Sequence, residues 1–96
     1  MMVTVHVVQF GRRARKQLRS LPTHIVDKVD TWVRAVELDG LDDVRRLPGY
    51  HDEPLQGKRQ GQRSIRLSRA YRAIYEVRND GAVRFVSIEE VSKHEY

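Results

Sequence analysis

From residue 25 onward the apolar side chains recur at Ile25, Val29, Trp32, Val33 and Val36, the i, i+4, i+7, i+8, i+11 spacing of one helix face. Pro22 suits the first turn of that helix, where its missing N–H does no harm, and Gly40 suits its C-terminal end. Upstream, Phe10–Leu21 predicts a shorter helix with Ala14, Leu18 and Leu21 on one side. The β-branched run Val3–Val8 before it predicts a strand. Downstream, Leu41, Val44 and Leu47 predict a brief helical turn closed by Pro48 and Gly49. Residues 48–61, PGYHDEPLQGKRQG, read as a loop. Alternating stretches then predict strands over Gln62–Ser68, Tyr71–Arg78 and Ala82–Val91, with a hairpin turn at Asn79-Asp80-Gly81. The order β-α-α-β-β-β describes an α+β domain, two N-terminal helices packed on one face of an antiparallel sheet. The other face is then left open to a ligand.

The chain has 96 residues, 40% hydrophobic and 32% charged, which fits one globular domain spanning 1–96. No run approaches the ~20 apolar residues of a membrane span. The N-terminal apolar stretch precedes its positive charges, the reverse of an export signal. A cytoplasmic location is therefore expected. With no cysteine there is neither a disulfide nor a thiolate metal site.

Net charge is +5, and its distribution matters more than its size. Residues 1–26 hold Arg12, Arg13, Arg15, Lys16 and Arg19 without one acid. Residues 54–75 hold Lys58, Arg59, Arg63, Arg66, Arg69 and Arg72, again without an acid. Two segregated basic segments point to a polyanion such as nucleic acid, or to an acidic protein. Strand alternation puts Ile65 and Leu67 on one face and Ser64 and Arg66 on the other, and sets Arg72 and Ile74 opposite Tyr71, Ala73 and Tyr75. An unpaired charge is expensive to bury. Arg66 and Arg72 therefore either line a solvated concave surface suited to phosphate or pair with acids such as Glu76 or Glu89. If the last strand continues extended past Val91, His94 and Tyr96 project from one face, an imidazole beside a phenol. His51, Asp52 and Glu53 are consecutive and cannot easily converge on one metal ion, and no spaced ligand motif accompanies them. Trp32 belongs to the helix stripe and reads as core.

Three stretches, Glu53-Pro54-Leu55-Gln56-Gly57, Gly61–Leu67 and Tyr71-Arg72-Ala73-Ile74-Tyr75, resemble the RelE/ParE superfamily of small toxins from type II toxin–antitoxin pairs, closest to its RelE/YoeB/HigB-like branch. The resemblance covers nearly the whole chain. It implies a RelE-like fold and a ribosome-dependent mRNA endoribonuclease that needs no metal or other cofactor. It also implies a cognate protein antitoxin, possible hetero-oligomeric complexes with it, and contacts with ribosome and mRNA. Glu53 matches the family's general base, Arg72 the arginine on the scissile phosphate, and His94 with Tyr96 the His-Tyr pair that closes YoeB-like chains, either of which could be the general acid. The family's lysine position is Gln56 here, with Lys58 and Arg59 following, and Arg63, Arg66 and Arg69 supply further positive charge to RNA. The ParE branch implies an alternative, a gyrase-inhibiting binding module without ribonuclease chemistry.

Overall fold

In the computed structural model, which describes residues 4–93, three helices pack on a five-stranded sheet. The elements are β1 (Val8–Phe10), α1 (Arg12–Leu18), α2 (Thr23–Asp39), α3 (Leu41–Arg45), β2 (Glu53–Pro54), β3 (Arg63–Arg66), β4 (Tyr71–Asp80) and β5 (Val83–Lys93). The sheet order is β1-β5-β4-β3-β2. Strands β2 to β5 run antiparallel, the last three of them as expected, but β1 lies parallel to β5, so the sheet is mixed.

The expected strand over Val3–Val8 is displaced towards Val8–Phe10, and the reason lies in the backbone hydrogen bonds. The Val5 carbonyl accepts the Leu41 N–H at 2.8 Å, and the Thr4 hydroxyl accepts the Asp42 N–H at 2.9 Å. Residues 4 and 5 thus satisfy orphan donors at the start of α3 instead of pairing in the sheet. Gly40, at φ +88, makes the corner between α2 and α3. A Cβ there would sit 2.2 Å from the Thr4 methyl, so both the backbone angle and the close approach require glycine.

The α2 stripe packs as its spacing predicts, with Ile25, Val29, Trp32 and Val36 buried and Val33 partly buried against the core. Trp32 and Tyr75 meet with ring centroids 5.1 Å apart. Helix α1 is shorter than expected, yet Ala14 is fully buried. The side chain of Gln17 accepts the Val91 N–H at 2.8 Å, so α1 covers part of β5 beyond its pairing with β1.

Two further features differ from the sequence expectation. Glu53–Pro54, expected in a loop, forms a short edge strand against β3. The β4–β5 turn falls on Gly81 and Ala82, with Asp80 opposite Val83. A bulge follows from the register: Ile74 opposes Glu90 while Tyr75 opposes Ile88. The extra residue, Glu89, lets Ile88 enter the core while Glu90, only two positions on, shares the opposite face with Ile74.

Candidate functional site

The sheet face away from Trp32 and Ile65 carries the chemistry. Glu53 on β2 opposes Ser64 on β3, and Arg66 on β3 opposes Arg72 on β4. Since Ser64 and Arg66 are two apart on one strand, all four side chains share a face. The β3–β4 connection is drawn tight by Ser68, whose hydroxyl accepts the N–H groups of Ala70 and Tyr71 at 3.2 Å each. The Leu67 N–H also donates to the Tyr71 carbonyl at 3.0 Å. That turn brings Arg69 and Tyr71 to the same place. The result is a pocket of about 250 Å³ lined by His51, Glu53, Ser64, Arg66, Ser68, Arg69, Tyr71 and Arg72. Clefts that enclose a whole small ligand run from about 300 to 1,000 Å³. This one suits a single group of a larger molecule.

Its electrostatics are lopsided. Among the described residues, Arg66, Arg69 and Arg72 form no ion pair, and Glu53 is the one carboxylate lining the pocket. Glu76 and Glu89, the acids that alternation offers as partners for Arg66 and Arg72, instead contact Arg78. Like charges directly opposed across strands are destabilising. An Arg66–Arg72 pair facing solvent is thus set up to gain from an anion lying between them.

The other basic residues named from sequence go elsewhere. Arg63 shares the face of Tyr75 and donates to Asp52 at 2.6 Å. The Asp52 side chain is only 1% exposed and also accepts the Tyr75 hydroxyl, to which Arg45 donates in turn. Burial works against the charge on Arg63, but the hydrogen bond and charge of Asp52 outweigh it and hold the guanidinium pKa above its usual value. Burial also raises the Tyr75 phenol; the Arg45 hydrogen bond opposes this and Asp52 reinforces it. Asp52 was missed as a structural anchor in the sequence. It turns inward between His51 and Glu53, which face the pocket, and so fixes the segment that presents Glu53. Arg59 donates to Glu90 at 3.0 Å, and Lys58 lies beside it in a single 3₁₀ turn, Gly57–Arg59; neither lines the pocket. His94 and Tyr96 lie outside the described residues.

Glu90 ties distant parts of the chain together, since Arg13 of α1 approaches the same oxygen at 3.2 Å and Ser92 donates to the other. Burial would raise its carboxyl pKa, but the hydrogen bonds of Arg59 and Ser92 and the charges of Arg59 and Arg13 bring it below the ordinary value. A carboxylate with a lowered folded-state pKa adds stability above its unfolded pKa, near 4.3. That stability is lost as pH falls through the folded value. Glu90→Gln is therefore expected to be less stable than wild type at pH 7, with the gap narrowing as pH falls below about 4. Urea unfolding at a series of pH values measures this; a gap that stays constant or widens in acid contradicts it.

Comparison with solved structures identifies the fold. The YoeB/ParE toxin of Agrobacterium tumefaciens aligns with a TM-score of 0.67 at 18% identity, covering 93% of this chain and 99% of that one. A chain of the archaeal RelE–RelB complex of Pyrococcus horikoshii aligns at 0.67 and 22% identity, covering 94% and 96%. The toxin–antitoxin complex RelBE2 of Mycobacterium tuberculosis contributes a chain at 0.63 and 26% identity, covering 95% and 100%. The chain has the RelE/ParE toxin fold. No protein-family model matches the sequence, and no curated protein does. Within this RelE-like fold, the pocket brings together Glu53, Arg66, Arg69 and Arg72 of the residues named from sequence, and adds His51, Ser64, Ser68 and Tyr71. Among the described residues, no helix is long and apolar enough to cross a membrane.

Proposed function

We propose that this chain, as one domain over 1–96, is the toxin of a type II toxin–antitoxin pair, a ribosome-dependent and metal-independent endoribonuclease acting on mRNA in the cytoplasm. The observation that carries the reading is the directly opposed pair Arg66–Arg72, joined by Arg69 in a pocket whose one carboxylate among the described residues is Glu53. In RNA cleavage the 2′-hydroxyl attacks the adjacent phosphorus. The attack needs a base for the hydroxyl proton and positive charge for the five-coordinate phosphorane, and the departing 5′-oxygen needs a proton. Glu53 is the base. Arg72, with Arg66 and Arg69 beside it, holds the phosphate and takes the growing charge, which is usually the largest contribution to such catalysis. For the proton donor the family resemblance points to His94 or Tyr96. The ribosome supplies the substrate geometry that a shallow pocket cannot impose. A cognate protein antitoxin is the partner, a reading supported by the likeness to the RelBE2 and RelE–RelB complexes.

Induction of the gene in growing cells separates this from action on gyrase. Incorporation of labelled amino acids is expected to stop first, before DNA damage or filamentation. DNA damage with protein synthesis intact would favour the gyrase-directed alternative.

A further inference from the structure

We propose that His51 is the acid of this pocket, the group that delivers a proton to the departing 5′-oxygen; the assignment rests on the ribonuclease reading above and gives His51 the role that family resemblance suggests for His94 or Tyr96. Among the described residues, His51 is the one histidine lining the pocket, alongside Glu53, Arg66, Arg69, Tyr71 and Arg72. Its ring is exposed and makes no hydrogen bond or ion pair among those residues, in contrast to His6, whose Nδ1 lies 3.0 Å from the Glu37 carbonyl. His51 also sits at φ +46 and ψ +48, the one non-glycine residue among them with positive φ. Such backbone is uncommon outside glycine, and where it persists it clusters at functional sites. Here it is held from both sides: the His51 N–H donates to the Pro48 carbonyl at 3.2 Å, and Asp52 is tied to Arg63 and Tyr75. That turn and anchor present His51 and Glu53 to one pocket while Asp52 points away.

Among the described residues lining the pocket, the acid's place is the one left to assign, and imidazole suits it. The three arginines cannot give up a proton at neutral pH, and Glu53 accepts one. Histidine is the side chain that exchanges a proton near neutrality. Two residues of chain span at most about 7 Å, so Glu53 and His51 can address the attacking and leaving oxygens on either side of one phosphorus. The step balances. The 2′-oxygen bonds to phosphorus as its proton passes to the Glu53 carboxylate. The bond from phosphorus to the 5′-oxygen breaks, its electron pair stays on that oxygen, and the imidazolium proton of His51 joins it. The products are a 2′,3′-cyclic phosphate and a free 5′-hydroxyl, with Glu53 protonated and His51 neutral.

A leaving group that needs no proton tests this directly. Two ribosome-bound messages are compared, one with the natural 5′-oxygen at the cut and one with sulfur in its place. A thiol ionises near pKa 8.5, so a thiolate departs unaided. His51→Ala is expected to slow cleavage of the oxygen message about 10²–10⁴-fold and to cut the sulfur message at close to the wild-type rate. Glu53→Gln is expected to be slow on both. His51→Asn, which tolerates left-handed backbone, is expected to behave as His51→Ala and guards against a folding defect. Equal slowing of His51→Asn on both messages, or wild-type speed on the oxygen message, overturns the assignment to His51 while leaving the ribonuclease reading intact. Failure of the wild type to cut either message overturns both.

Discussion

Glu53→Gln is expected to reduce ribosome-dependent mRNA cleavage about 10²–10⁴-fold, the usual worth of a proton-transfer group, while leaving thermal stability unchanged. The substitution preserves shape and removes the charge together with the ability to take a proton. Glu53 is exposed on a two-residue edge strand and makes no ion pair among the described residues, so the fold loses little with its charge. Arg72→Ala is expected to cost at least as much, because it removes charge from the developing phosphorane. It also relieves the opposition of Arg66 and Arg72 across β3 and β4. The free protein is therefore expected to be as stable as wild type or slightly more so, even as activity falls. Such a gain of stability with loss of function is the mark of a charge kept for a ligand. A clear fall in melting temperature for Arg72→Ala would contradict that explanation.

The second large effect concerns Asp52. Asp52→Asn removes a buried carboxylate that holds both Arg63 and the Tyr75 hydroxyl. Breaking one side of a buried pair typically costs about 3–5 kcal/mol, and for a domain of this size each kcal/mol lowers the melting temperature by roughly 4–8 °C. A fall of more than about 10 °C is expected, with activity reduced as well because the segment carrying His51 and Glu53 loses its anchor. Tyr75→Phe keeps the Arg63–Asp52 pair and removes one hydroxyl, so it is expected to cost less, about 1–3 kcal/mol. Calorimetry on the two variants checks the order; an Asp52→Asn protein as stable as wild type would show that the network carries little of the fold.

Much of this was legible from local periodicity. The α2 stripe, strands β3, β4 and β5, and the shared face of Arg66 with its neighbours all follow from spacings of 3.6 and 2. What escaped depends on contacts distant in sequence. Asp52 meets Arg63 and Tyr75 only because β3 and β4 bring residues 11 and 23 positions away beside it. The parallel edge strand escaped because Val3–Val8 reads alike whether it pairs with β5 or caps α3. Glu53–Pro54 is too short, and too close to proline, to register as a strand at all. The bulge at Ile74/Tyr75 breaks strict alternation on β5, and only the register reveals that Ile88 and Glu90 face opposite ways. Arg63 could have been set apart from Arg66 and Arg72, since alternation already places it with Ile65 and Leu67.

The central claim is that the Glu53–Arg72 pocket cuts messenger RNA on the ribosome. Primer extension on a ribosome-bound message, with wild-type protein beside Glu53→Gln and Arg72→Ala, tests it most directly. The account predicts new 5′ ends with wild type that disappear when ribosomes are omitted and are nearly absent with either variant. Equal cleavage by all three proteins, or no cleavage by wild type on programmed ribosomes, would contradict it.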